Sequence, residues 1–270
     1  MAEFDYIIVG GGAAGCVLAN RLSEDPANRV CLVEAGMDRN ARRAIVRIPL
    51  AMITFMAPAL AILGGPKFMS WFETEPEPGL QGRSIALPRG RGTGGSTNVN
   101  GQIFIRGQRE DFDHWHDLGN PGWGYDDLLP YFRKLERFEI LAEPGAAKHI
   151  RFGDMPLERQ IDPAYHGSSG PLNIAPLRSV NPMAEVFLEA AQQAGHPLNA
   201  DFNGARQNGV GLYTFTQKNG ERVTAEGAYL DPVRHRPNLT VMSETEVARV
   251  VFDGRKATGI AFRRQGQHGT

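Results

Sequence analysis

"FDYIIVGGGAAGCVLANRLSEDPANRVCLVEAG" spans residues 4–36 and decides how the chain begins to fold. Phe4 to Val9 is a short apolar run of the kind buried in a parallel sheet. Residues 13 to 23 place Ala14, Val17, Leu18 and Leu22 at helical spacing, and Arg29 to Val33 makes a second apolar strand that ends at Glu34. Strand, glycine turn, helix, strand and acidic residue follow in the order of a dinucleotide-binding unit. Gly10 permits the tight turn, Gly12 lets a pyrophosphate reach the backbone, and Gly15 lets helix and strand pack closely. The free amides of the helix N-terminus, at Ala13 and Ala14, meet the phosphates along the helix dipole. Glu34 is placed to accept hydrogen bonds from the ribose hydroxyls, with Ala35 beside it. Three glycines alone would signal no more than a turn; the complete context makes dinucleotide binding the better reading.

The remaining composition excludes several classes. The chain has 270 residues, 41% hydrophobic and 22% charged, which suits one large globular domain or two modest ones. A net charge of −1 gives no electrostatic case for nucleic acid as a partner. Cys16 and Cys31 fall inside expected core elements without metal-ligand spacing, so they read as buried, reduced thiols. The chain runs into its first strand without a signal-peptide pattern, which points to the cytoplasm, and the sequon at Asn238 reads as chance. Residues 45–65, "IVRIPLAMITFMAPALAILGG", are apolar, but Arg47, Pro49 and Pro58 interrupt them, which argues against a spanning helix. A buried loop and helix, a lid over an apolar pocket, or an interfacial patch in peripheral contact with a membrane all fit. The first two are preferred, because exposed patches of that size are unusual in monomers.

A second stretch, "LPRGRGTGGSTNVNGQIFIRGQREDFDHW" at 87–115, carries five glycines between Gly90 and Gly101. Such a stretch forms neither a helix nor a strand interior and presents many amides in a close-fitting loop. Arg89, Arg91 and Asn100, followed by Ile103-Phe104-Ile105, argue for an ordered loop over a linker. With Gly90, Arg91, Gly94, Gly95, Ser96, Thr97, Val99, Asn100, Phe104, Gly107 and Asp113 in place, the sequence resembles the glucose-methanol-choline (GMC) oxidoreductases, FAD-dependent enzymes that oxidise alcohols. The resemblance continues through 74–83, 119–139, 166–174, 201–217 and 236–247, and points to the choline dehydrogenase-like and alcohol dehydrogenase-like branch. Thr93 departs from it, standing where the family usually has an aliphatic residue.

The resemblance implies an α/β fold, α+β overall: a Rossmann-like FAD-binding domain with a β-meander, and part of a substrate domain with an antiparallel sheet. It assigns 1–36, 84–107 and 225–270 to the FAD-binding domain, 37–83 to a lid or connecting segment, and 108–224 to the partial substrate domain and connecting helices. It implies FAD in preference to NAD, with Gly94, Gly95, Asn100 and Gly101 along the isoalloxazine, Trp71 and Arg91 near flavin or phosphate, and the Val247 backbone at the adenine. Some members attach FAD covalently through a histidine at the place of Val99, so the valine here implies non-covalent FAD.

The implied chemistry is hydride transfer from an alcohol to flavin N5, with oxygen, a quinone or a dye taking the electrons. The resembling enzymes carry their catalytic histidine beyond the position of Thr270, so no catalytic residue is assigned in this chain. The expectation is an N-terminal half, completed by a C-terminal half on a second chain or segment. The alternatives are another Rossmann-type flavin or nicotinamide enzyme, and a non-catalytic flavin-binding module. Among the histidines, His114 and His116 stand two apart and so on different helix faces, which does not suit a metal pair, and His166 in "HGSSGPL" reads as turn structure. Residues 111–138 read as helical, with Pro130 near a helix start. Pro182–Ala194 reads as a helix capped by Asn181 and ended by Gly195, and 172–175 and 205–217 as strands. The runs 239–243, 246–252 and 257–263 read as the three strands of the meander.

Overall fold

The computed structural model describes residues 3–56, 68–152 and 155–270. The fold is mixed α/β and divides into two compact units, Met1–Gly101 with Glu221–Thr270, and Gln102–Gly220. The first unit includes the described part of the 37–83 connector.

In the first unit the opening stretch folds as a βαβ unit: β1 (Tyr6–Val9), α1 (Ala13–Leu22) and β2 (Val30–Val33). The two strands are parallel, Tyr6 opposite Val30 and Val9 opposite Val33. β2 is buried throughout, as the middle strand of a covered parallel sheet should be, and its other neighbour is the strand Leu239–Met242, also parallel. That strand is a correction: it joins the parallel sheet, not the meander. Asn238 explains why, since its amide donates to the carbonyls of Ser23, Asp25 and Asn28, docking the chain beside β2. The meander consists instead of Thr245–Asp253, Lys256–Arg264 and Gln267–Gly269, all antiparallel. It packs Ile260, Phe262 and Val247 against Cys31 and Val33 of β2. At the far side β1 is the edge strand of this sheet among the described residues, with Tyr6, Ile7 and Val9 exposed.

Both cysteines are free and buried, and burial pushes Cys16 up to about 12 and Cys31 up to about 11, so neither thiol ionises readily. Further along, β3 (Met69–Glu73) and β4 (Ala86–Gly90) form an antiparallel ribbon. The described part of the apolar 45–65 segment forms short helices, Ala44–Arg47 and Met52–Met56, joined by a 3-10 turn. Val46 and Phe55 enter a core with Phe68, Met69 and Val99, while Ile48, Leu50 and Ile53 face outward. Residues 57–65 lie outside the described residues. Among the described residues, no helix is long and apolar enough to cross a membrane.

The second unit is built around Phe138, Ile140, Ile150, Leu157 and Ile174. The expected 111–138 helix is two helices, Arg109–Asp117 and Tyr125–Leu135, followed by a strand at Glu136–Phe138. Gly119 and Gly122, at φ +95 and +86, break the first helix. Pro130 lies inside the second helix, not at its start. The missing N–H costs one helical bond, and the helix persists because Tyr125 and Phe132 pack on Phe112, with ring centroids 6.3 and 5.5 Å away. Glu136–Phe138 pairs in parallel with Leu172–Ile174, so the unit's pairing is not all antiparallel. The long strand expected over 205–217 contracts to Thr214–Phe215, antiparallel to Ile103–Phe104, and Gln217–Lys218. The capped helix forms as read: Asn181 accepts from Met183 N at 2.9 Å, Pro182 opens the helix, and Gln193 is its last residue.

His166 is not a turn residue. It is buried between two carboxylates, Nδ1 at 3.2 Å from Glu136 and Nε2 at 2.8 Å from Asp201. Burial works against its charge, but the hydrogen bonds it donates to Asp201 and Glu136 outweigh it and raise the imidazole from 6.5 to about 9. A group raised on folding contributes stability in full below its unfolded value near 6.5, and loses that contribution as pH climbs through about 9. The denaturant midpoint of this unit is therefore expected to fall between pH 7 and pH ~9.5, and His166→Gln is expected to flatten that slope. Midpoints measured across the range check it.

Candidate functional site

The site begins where α1 starts. Its first helical bond runs from Cys16 N–H to the Gly12 carbonyl, which leaves the amides of Ala13, Ala14 and Gly15 without intrahelical acceptors. Among the described residues no side chain caps this end. Gly10 adopts φ +95, which a side chain resists. A Cβ on Gly15 would run into the Gly10 carbonyl oxygen, whereas a Cβ on Gly12 would meet nothing within 4 Å. The cradle is thus tight between helix and strand and open on the side where a diphosphate would lie.

The second glycine stretch folds directly onto the first. Gly94 N donates to the Gly11 carbonyl at 2.8 Å, and a Cβ on Gly95 would stand 2.8 Å from the Gly12 Cα. β4 leads into this turn, and Gly90 N donates to the Ser96 hydroxyl at 3.0 Å. A short 3-10 turn, Gly95–Asn98, then brings the chain to Asn100 and Gly101, which are exposed at its exit.

Glu34 ties the two stretches together. Its carboxylate accepts from Gly11 N at 2.7 Å, from Gly36 N at 2.7 Å and from Gly92 N at 3.0 Å. A carboxylate offers about four acceptor positions, so backbone amides take all but one. The vacant one is on Oε2, enough for one ribose hydroxyl and not for two. Ala35 lends its carbonyl to Arg91 Nη2 at 3.2 Å.

Val99 points into the apolar core, away from any covalent role. Val247 stands in the meander beside a β-bulge, two residues past Thr245, whose amide donates to the Glu34 carbonyl at 2.9 Å. Trp71 lies in β3 opposite Pro88, half-exposed and farther along the ribbon than the Gly90–Ser96 contact. The structure therefore gathers Gly10, Gly12, Ala13, Ala14, Gly15, Glu34, Ala35, Arg91, Gly94 and Gly95, with Asn100 and Gly101 at the exit of the turn. Trp71 is tied to them only through its ribbon.

Sequence reading missed the supports behind this loop. Thr93 is fully buried and its hydroxyl donates to Glu226 Oε1 at 2.7 Å, so the departure from an aliphatic residue is matched by a polar partner. Glu226 also accepts from Ala41 N at 2.8 Å and from Arg234 Nη2 at 2.6 Å. Asn98 Nδ2 donates to the Thr93 carbonyl at 2.7 Å. Nothing local in "GERVTAEG" (220–227) signals this role, because Thr93 and Ala41 lie more than a hundred residues away.

Residues 4–270 match the GMC oxidoreductase family. The chain belongs to that family. Its similarity to the alcohol dehydrogenase [acceptor] of Pseudomonas putida is 38% identity over 267 residues, covering 98% of this chain and 43% of the relative. Mitochondrial choline dehydrogenase of Mus musculus is 37% identical over 270 residues, covering 98% of this chain and 41% of the relative. A solved FAD-dependent oxidoreductase from Chaetomium thermophilum superposes with a TM-score of 0.82 at 28% identity, covering 99% of this chain and 43% of that one. This GMC chain thus spans well under half the length of the relatives it matches.

Proposed function

We propose that this chain is the FAD-binding portion of a GMC-type oxidoreductase acting on the CH–OH group of an alcohol. The observation that carries the reading is the direct joint between the two glycine stretches, Gly94 N–H on the Gly11 carbonyl and Gly95 on Gly12. It brings a diphosphate cradle and a glycine-rich loop to one place, as one extended dinucleotide requires. When bound, FAD supplies the hydride acceptor.

The chain's own residues bind and orient. The amides at Ala13, Ala14 and Gly15 receive the diphosphate, and the vacant position on Glu34 Oε2 accepts a ribose hydroxyl. The backbone near Val247 meets the adenine. Gly94, Gly95, Asn100 and Gly101 line the ring, Arg91 and Trp71 flank it, and the buried Val99 leaves FAD non-covalent. The proton acceptor for the alcohol belongs to a complementing C-terminal segment, and the assembled enzyme works in the cytoplasm.

Incubating the purified chain with FAD is expected to give a yellow complex of about one flavin per chain. Acid precipitation should release all of it. Alcohol-dependent dye reduction should appear only when the C-terminal polypeptide of a GMC relative is added. No flavin uptake, alone or with that polypeptide, overturns the reading.

A further inference from the structure

Arg222 is 5% exposed and sits behind the glycine-rich loop. Its Nη1 donates to the Asn100 carbonyl and the Asn100 Oδ1, each at 2.8 Å, and to the Thr97 carbonyl at 3.2 Å. Nε donates to the Val46 carbonyl at 3.0 Å, and Nη2, equally buried, has no hydrogen-bond partner among the described residues. One guanidinium thus clamps both ends of the 97–100 turn to the helix that carries Val46.

Its charge is the unusual feature. The other buried arginine among the described residues, Arg106, is paired with Glu136 at 2.6 Å, and the part-buried Arg234 with Asp38 and Glu226, both at 2.6 Å. Among the described residues no carboxylate forms an ion pair with Arg222, and burial alone lowers it to about 10. Withdrawing a cation from water is costly unless a negative charge lies near. A site that must receive negative charge supplies a reason to keep it.

Resting on the FAD reading above, we propose that Arg222 is a positioning residue for the cofactor: its fork sets the 97–100 turn, and its uncompensated charge favours reduced over oxidised FAD. Reduction adds electrons and negative charge to the ring that this turn lines. A fixed cation one hydrogen-bond layer behind the turn therefore binds the reduced form more tightly. The two affinities and the reduction potential form one thermodynamic cycle.

The test is the reduction potential of bound FAD in the chain and in Arg222→Gln, with the Kd of oxidised FAD measured in parallel. Removing the charge is expected to weaken reduced FAD about tenfold more than oxidised FAD, which lowers the two-electron potential by about 30 mV. Equal loss for both forms, with an unchanged potential, overturns the inference while leaving the FAD reading intact. Failure of the unaltered chain to bind FAD, alone or with the C-terminal polypeptide of a GMC relative, overturns both.

Arg222→Lys provides a second test if the glutamine variant does not fold. A buried lysine gives up its proton far more readily than arginine. Its potential is expected to track that of the parent chain near neutral pH and to fall below it as pH rises above neutral. Parallel potential-against-pH lines for the two proteins overturn the charge role.

Discussion

Replacing Glu136 with alanine is expected to destabilise the Gln102–Gly220 unit by about 3–5 kcal/mol, the cost of stranding the partner of a buried ion pair. Glu136 is fully buried at the start of the strand that pairs with Leu172–Ile174. Its carboxylate accepts from Arg106 Nη2 at 2.6 Å, from Gly167 N at 3.1 Å and from His166 Nδ1 at 3.2 Å. Alanine leaves a guanidinium that is 3% exposed without its counter-charge and His166 with Asp201 alone. The Arg106 guanidinium keeps its bond to the Tyr165 carbonyl at 2.7 Å and its contacts with the Phe104 and Phe132 rings. Glu136→Gln retains the shape and part of the bonding, so a smaller loss is expected. Chemical denaturation of both variants measures the difference, and similar midpoints for the alanine variant and the parent would refute the assignment.

Gly15→Ala and Gly12→Ala are expected to separate folding from binding. At Gly15 the added methyl collides with the Gly10 carbonyl, backbone that cannot step aside without parting α1 from β1. Overpacking of this kind costs about 1–3 kcal/mol and sometimes more. The Gly15 variant should melt earlier and lose FAD as a consequence. At Gly12 the backbone is extended, φ −71 and ψ −162, and a methyl meets no protein atom within 4 Å. Stability there should stay within about 0.5 kcal/mol of the parent. The methyl instead enters the open side of the cradle, and FAD affinity should fall about tenfold or more, equivalent to ~1.4 kcal/mol. Melting curves with and without FAD distinguish the two variants. A Gly12 variant that binds FAD as tightly as the parent removes the diphosphate from that place.

What could be read in advance was what backbone geometry alone imposes. Gly10 and Gly15 announce a turn and a close helix–strand approach because only glycine satisfies them, and Asn181-Pro182 announces a helix start because both act within one turn. Glu34 was legible as an acidic strand end. Its amide partners were not, since Gly92 lies 58 residues onward in another loop. His166 was misread for the same reason: "HGSS" has the polarity of a turn, and its burial is created by Glu136, 30 residues before it, and Asp201, 35 after. Arg222 and Glu226 left no local trace, because a buried charge looks like a surface charge until its neighbours are known. The strand Leu239–Met242 matched either sheet by composition, and docking through Asn238 decided between them.

The exposed edge of β1 bears on how the isolated chain behaves in solution. Tyr6, Ile7 and Val9 line a strand whose outward amides and carbonyls meet no further strand among the described residues. Such a border invites extended segments of other molecules to add on, and no charged side chain or proline within Tyr6–Val9 deters them. Concentrating the polypeptide therefore favours strand-to-strand aggregation that begins at its first β-strand, and whatever shields that border acts as the solubilising element.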